Sequence, residues 1–285
     1  MNKEMVQAVQ LPIEKLRPFA NHPFQVNNDD EMERLVWSIL TQGVLTPLVV
    51  RPLEGDTYEV VSGHRRLYAC QKAGIETVPA LIYAMDRDAA TVALVDSNLH
   101  REKILPSEKA FAYKLKMEAM SRQGKRTDLT STQVVSKLRT NEIIGSENGE
   151  SREQVRRYIR LTNLIPDILR MVDEGKIALT PAVELSYLTS QEQDTLLNAM
   201  KSEGCTPSLS QAVRLKKLSQ FGALNKNKIF EIMHQLKANQ QEKISFSAED
   251  LRRFFPKSYT NARIQETILK LLMDYHKKQQ RDQII

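Results

Sequence analysis

Tyr58-Glu59-Val60-Val61-Ser62-Gly63-His64-Arg65-Arg66-Leu67-Tyr68-Ala69-Cys70 runs from an apolar strand, through one glycine, into the opening turn of a helix. The amide end of a helix carries partial positive charge and disfavours cations. Arg65 and Arg66 are out of place there unless an anion sits between them. Glycine lets backbone approach a ligand closely, free helix N–H groups point at it, and arginine forks match phosphate oxygens. The stretch predicts a phosphate site inside a mixed strand-and-helix domain.

Working outward, Val6 to Gln10, Leu48 to Arg51 and Thr77 to Tyr83 join Tyr58 to Ser62 as short strands bounded by Pro and Gly. Asp30 to Gln42 has helical apolar spacing (Met32, Leu35, Val36, Ile39, Leu40), with Gly43 as its stop and an acidic N-terminus complementing the dipole. A second helix covers Arg65 to Ala73, and Asp86 caps a third. After Pro106 the strand signals vanish. Hydroxyl residues followed three places later by glutamine recur instead: Thr130 and Gln133, Ser151 and Gln154, Ser190 and Gln193, Ser208 and Gln211. Each fits a capping box, so an all-helical domain follows. Arg139 to Glu150 reads as a long polar loop. The last helix, from Asn261 to about Gln279, spaces Ile264, Ile268, Leu271 and Tyr275 as the seam of a helix pair or as a face packed on its own domain.

Lys plus Arg number 41 against 35 Asp plus Glu, a net charge of +6 over 285 residues, which favours polyanionic partners. Two distant cysteines, Cys70 and Cys205, fit a reduced compartment and no disulfide framework. No run reaches the roughly 18 apolar residues of a membrane span, and the start is polar. The sequence predicts a soluble intracellular protein. The five histidines sit apart from any Cys or carboxylate at metal-ligand spacing, which argues against structural zinc. Neither a P-loop nor a nucleophile elbow occurs.

Two further constellations carry chemistry. Asp96-Ser97-Asn98-Leu99-His100-Arg101-Glu102 places Arg101 near a helix end, with Asn98 as an amide donor and Ser107 at the next helix start. Ser151-Arg152-Glu153-Gln154-Val155-Arg156-Arg157-Tyr158-Ile159-Arg160-Leu161 puts Val155 and Ile159 on one side and Arg152, Arg156 and Arg160 on the other, with Arg157 beside them. A basic outward stripe at a helix start fits a recognition helix in the major groove, with Gln154 able to reach adenine. The helix before it, Ser131 to Leu138, sets Ser131, Thr132 and Gln133 near phosphates. The connector 139–150 exceeds the about 3–4 residues usual between such helices.

Ser62-Gly63-His64-Arg65-Arg66-Leu67-Tyr68-Ala69 resembles the G-E-R-R-x-x-A box of ParB partition proteins. Asn98-Leu99-His100-Arg101 resembles their E-N-x-Q-R box, and Leu105-Pro106-Ser107-Glu108-Lys109-Ala110 their L-x-P-x-E-x-A segment. Leu16-Arg17-Pro18-Phe19 with Asn21-His22-Pro23-Phe24-Gln25, and Gly43 to Arg51, are similar to the family's entry segment and its G-x-x-x-P-I-x-V-R strand. The resemblance runs in order through the first ~125 residues and on into the helical part. It implies an α+β ParB/sulfiredoxin-like nucleotide-binding domain over 1–105 and an all-α helix-turn-helix domain over 106–222; the mostly helical region over 223–285 is a candidate for dimerisation through its last helix. The resemblance implies CTP bound with Mg²⁺ by Gln25, Thr46, Gly63, His64, Arg65, Arg66, Asn98, Arg101, Ser107 and Glu108. It also implies a homodimeric clamp on double-stranded DNA, a ParA-type ATPase partner and a nucleoid- or plasmid-associated place in the cytoplasm.

His64 and Ser97 stand where the family has glutamates, and imidazole and hydroxyl suit Mg²⁺ poorly. Val26-Asn27 stands where the family has an arginine. The phosphate grip therefore carries over more readily than magnesium coordination or CTP hydrolysis, at most a slow one. Asp96, Glu102 and Glu108 are the nearby carboxylates that could compensate. The other readings are a transcriptional or nucleoid-associated regulator, and a kinase or nuclease on a sulfiredoxin-like fold.

Overall fold

The computed structural model describes residues 8–26, 28–101, 104–127, 133–235, 253–256 and 258–282. They divide into two compact units, Met1–Gln235 and Leu236–Ile285.

The first unit opens with a five-stranded mixed sheet: β1 (Val9–Pro12), β2 (Leu16–Arg17), β3 (Leu48–Pro52), β4 (Tyr58–Ser62) and β5 (Thr77–Ile82). The order is β1-β5-β3-β4-β2, with β1/β5 and β3/β4 antiparallel and β3/β5 and β2/β4 parallel. Helices α1 (Asp30–Gln42), α2 (His64–Lys72) and α3 (Arg87–Leu99) pack on it. The two-residue β2, too short to show a period, was not expected from sequence. β4 explains the layering. Successive strand residues face opposite ways, so Val60 joins Met32, Ile39, Leu48 and Leu67, whereas Val61 joins Phe19, Phe24, Leu94 and Val95. Both faces of the sheet are therefore covered. Asp29 starts α1 by accepting the Met32 N–H at 2.9 Å, and Gly43 ends it at φ 73°.

The rest of the unit is helical: α4 (Pro106–Thr127), α5 (Gln133–Glu147), α6 (Arg152–Leu161), α7 (Pro166–Asp173), α8 (Leu179–Leu185), α9 (Ser190–Glu203), α10 (Leu209–Gln220) and α11 (Lys226–His234). Its core gathers Leu161, Ile168, Leu185, Leu196 and Leu215, and α11 adds Ile229, Ile232 and Met233.

Two sequence expectations need correction. The box at Ser190 and Gln193 is one residue out, because Thr189 and Glu192 cap α9 reciprocally. Gln193 is instead buried, accepting the Ile165 N–H at 2.8 Å and donating to the Asn163 and Leu188 carbonyls. The loop expected over 139–150 is helix as far as Glu147. Buried Thr140, Asn141 and Ile144 hold that helix down, a pattern masked by its polar composition. Ser208 and Gln211 form the full expected box, Ser151 caps its helix through the Gln154 N–H alone among the bonds expected there, and Thr130 lies outside the described residues.

In the second unit, α12 (Asn261–Asp282) buries Ile264 and exposes Leu269, Leu271, Leu272 and Met273. No described helix is long and apolar enough to cross a membrane.

Candidate functional site

The strand-to-helix turn closes on Gly63, at φ 103° and ψ 25°. A Cβ there would lie 3.1 Å from both Leu48 Cγ and Arg66 Nη2 and would strain the left-handed backbone, so the turn needs glycine. No acidic residue occupies the first turn of α2. The two arginines leave it in different directions. Arg66 donates to the Thr46 carbonyl and, at 2.8 Å, to the Pro47 carbonyl, which fixes the α1–β3 loop. Burial lowers its pKa. Arg65 lies 3.3 Å from Glu31 and 3.9 Å from Asp29 at the start of α1. Such solvent-facing pairs are worth about 0–1 kcal/mol, so Arg65 can be drawn off by a stronger anion.

His64 turns inward. Its Nε2 accepts the Phe19 N–H at 3.4 Å, and its ring centroid lies 3.9 Å from that of His22. Burial, with help from His22 and Arg101, brings its pKa down to about 3. His22 holds its Nδ1 2.6 Å from the Phe24 carbonyl, and burial lowers its pKa too. Arg101 lies 5.4 Å over the Phe24 ring; burial lowers its pKa, and Arg65 pushes the same way. Arg65, Arg101 and two neutral imidazoles thus crowd one locality. Cationic charge gathered in this way and held only by weak or shared carboxylates favours an anion.

Other expected residues are already engaged. Buried Asn98 donates to the Leu94 carbonyl at 2.8 Å and to Ser97 Oγ at 3.3 Å. Glu108 accepts the Gln25 N–H at 2.7 Å and the Leu105 N–H at 3.1 Å, bracketing the entry segment to α4. The Ser107 N–H donates to Asp173 at 2.9 Å. Gly63, His64, Arg65, Arg101, Gln25 and Glu108 therefore converge, Arg66 and Thr46 support them from the side, Asn98 is turned to its own helix, and the Ser107 N–H is taken by Asp173. Sequence reasoning missed His22; the Asn21-His22-Pro23-Phe24 segment was its only signal.

In the helical part, α5 and α6 are joined by 148–151 alone, the short connector of a helix-turn-helix. Gly145 permits it. A Cβ there would come within 2.6 Å of the Glu150 carbonyl oxygen, and the Glu150 N–H donates to the Gly145 carbonyl at 2.8 Å. The Glu150 carboxylate is held by Lys109 and by the Tyr113 hydroxyl, which donates at 3.0 Å. Burial first, then Glu150, raise the Tyr113 pKa and keep it a donor. Ser151 caps α6 by accepting the Gln154 N–H at 3.1 Å. Val155 is buried and Arg152 and Arg156 are exposed, as a recognition helix requires. Arg157 instead donates to Thr180 Oγ1 at 2.5 Å. Arg160 bonds Ser186 and stacks 3.8 Å from the Tyr187 ring centroid, at the edge of an open cleft of about 650 Å³. The expected stripe is thus an exposed pair with two engaged arginines behind it. Ser131 and Thr132 lie outside the described residues, and Gln133 opens α5.

The ParB N-terminal domain matches residues 1–99 and the ParB HTH domain residues 130–219. The Chromosome-partitioning protein Spo0J of Thermus thermophilus is 32% identical over 207 residues, covering 72% of this chain and 70% of that one. This chain belongs to the ParB family. A probable chromosome-partitioning protein ParB of Vibrio cholerae is 30% identical over 85% of this chain and 77% of its own length. A probable chromosome 1-partitioning ParB of Deinococcus radiodurans is 36% identical, with 59% of its length spanned. Among solved structures, the C-terminally truncated ParB of Caulobacter crescentus complexed to the centromeric parS site is similar at 25% identity and TM-score 0.43, covering 73% of this chain and 98% of that one. The same Caulobacter protein complexed with CTP-gamma-S is similar at 28% identity and TM-score 0.32, over 63% of this chain and 91% of that one. The α+β ParB/sulfiredoxin-like domain followed by a helix-turn-helix domain is thus the fold of this ParB chain.

Proposed function

We propose that this ParB chain is a CTP-gated DNA-binding protein that partitions a chromosome, plasmid or mobile element. The observation that carries this reading is the pairing, within one compact unit, of an anion-favouring turn at Gly63 with a four-residue helix-turn-helix presenting Arg152 and Arg156. The nucleotide function falls to 1–105, DNA binding to 106–222 and pairing of two copies to 223–285, where the exposed apolar residues of α12 supply a seam. Two copies then clamp a duplex, with a ParA-type ATPase as partner and the nucleoid or plasmid as location. Nucleotide turnover is at most slow.

The test titrates CTP and ATP onto the full chain, and then a duplex carrying the parS site of the Caulobacter relative. CTP is expected to bind in preference to ATP, and Arg101→Ala to weaken it by about tenfold or more while specific DNA binding persists. Equal, weak binding of every nucleotide overturns the gating. Failure to prefer parS over a scrambled duplex overturns that DNA site. A nucleoid-associated role without partition is favoured by one observation: the Nucleoid occlusion protein of Listeria monocytogenes is 32% identical over 70% of this chain. Genome-wide occupancy separates the two, one spreading locus indicating partition and many discrete loci the alternative.

A further inference from the structure

We infer that this chain holds its nucleotide's phosphates without a protein-bound divalent cation, Arg65 and Arg101 supplying the charge that a metal would. The inference rests on the nucleotide reading above and departs from the Mg²⁺ that the family resemblance implies.

Mg²⁺ demands near-octahedral oxygen ligands at about 2.0–2.1 Å and binds through carboxylates, phosphates and water. The residues at the two glutamate positions and the described carboxylates nearby do not fit it. His64 stands where the family has glutamate; its Nε2 is taken by the Phe19 N–H, and an imidazole is a poor ligand for so hard a cation. Ser97, at the second glutamate position, donates to the Leu94 carbonyl at 2.9 Å and accepts from Asn98. Asp96 is taken by the buried Lys116 ammonium. Glu108 has one oxygen on the Gln25 N–H and the other on the Leu105 N–H. His22 has an Nε2 with no partner, but an imidazole nitrogen is a poor ligand for so hard a cation. Among the described residues no group of three or more His, Cys, Asp or Glu could hold a metal ion. Glu102 lies outside them.

The positive charge is in place. Arg65 is close enough to Arg101 to add to the lowering that burial imposes on the Arg101 pKa, and Glu108, the carboxylate beside Arg101, is shared with two backbone donors. The N–H groups of the first turn of α2 add a positive dipole end. A phosphate tail arriving here exchanges a weak surface pair, Arg65 with Glu31 and Asp29, for charge-assisted bonds to phosphate. Magnesium withdrawn from free nucleotide leaves it more anionic, so affinity should hold or rise.

The experiment is calorimetric titration of CTP onto the full chain, once with Mg²⁺ and once with EDTA. Affinity in EDTA is expected to stay within about threefold of that in Mg²⁺, or to tighten. A fall of about tenfold or more in EDTA overturns the inference while leaving nucleotide binding intact. Absence of binding in both arms instead removes the nucleotide reading, and the inference with it. Glu102→Gln should leave both arms unchanged; loss of affinity in the Mg²⁺ arm alone would identify Glu102 as a ligand and overturn the inference. Ser97→Glu, on the exposed end of α3, should create a preference for Mg²⁺ that the natural chain lacks. Equal Mg²⁺ dependence in both proteins counts against it.

Discussion

The imidazole of His64 lies 3.9 Å, centroid to centroid, from that of His22, and both rings are kept neutral by burial beside Arg101. An unfolded histidine titrates near 6.5, whereas His64 in the fold does so at about 3. Between those values the unfolded chain binds a proton that the folded chain refuses, so stability is complete above pH 6.5 and drains away as pH falls towards 3. The groups facing the pair are Arg101 and Glu108. From pH 6.5 to pH 4 His64 should cost roughly 3 kcal/mol. Urea unfolding of the natural chain and His64→Asn across that range checks it, the variant showing the shallower dependence. Parallel curves would mean that the ring is not buried neutral.

Lys116 is 1% exposed and is shared between Asp96 on α3 and Glu147, at 2.6 Å, on α5. The carboxylates are about half exposed, which makes the cost of breaking the arrangement lopsided. Lys116→Met leaves two acids that water can reach and should cost no more than about 1–2 kcal/mol. Asp96→Asn with Glu147→Gln strands an ammonium in the interior and should cost on the order of 3 kcal/mol or more. Chemical denaturation of both variants measures the asymmetry, and equal losses would contradict it.

Gly145 sits in a helix, where alanine is ordinarily preferred by about 1 kcal/mol. Here the new methyl would stand 2.6 Å from the Glu150 carbonyl oxygen, a backbone atom that cannot swing aside. Gly145→Ala should therefore destabilise by about 2 kcal/mol and weaken DNA binding by displacing the turn that starts α6. Thermal unfolding and a gel-shift titration report the two effects; a more stable protein would show that the turn yields.

The arginines of α6 should separate by behaviour. Arg156→Ala should cost about 1–3 kcal/mol at one base position and relax the preference there. Arg157→Ala, whose guanidinium lies on Thr180, should weaken all duplexes alike and reduce the salt slope by about one. Arg160→Ala should spare specificity and lower the melting temperature, since it removes the stack on Tyr187 and the bonds to Ser186. Binding titrations over single-base variants and salt concentrations, with melting curves, distinguish the three.

The fold was readable where local chemistry sets it. Asp30 to Gln42 and Tyr58 to Ser62 were bounded correctly because a cap, a glycine and an unbroken apolar pattern act within a few residues. Helix α5 was cut short because Gly145 looks like a breaker, when its missing side chain serves a contact five residues on. The site was readable in its residues and not in their partners. Nothing near Arg66 foretells that its acceptors are carbonyls twenty residues upstream, and nothing near His64 foretells His22. Those pairings are made by the sheet, which brings distant loops to one edge.

Helix α4 serves as a party wall. Ala110 faces the Leu161 and Leu196 interior, Ala112 faces Phe19 and Leu94, and Tyr113 meets Ile144 and Val155. Three interiors thus lean on three residues within one turn of helix. Labour is proposed to divide at 105/106, but the masonry does not, and any excision that leaves this helix to only one side strips plaster from the other.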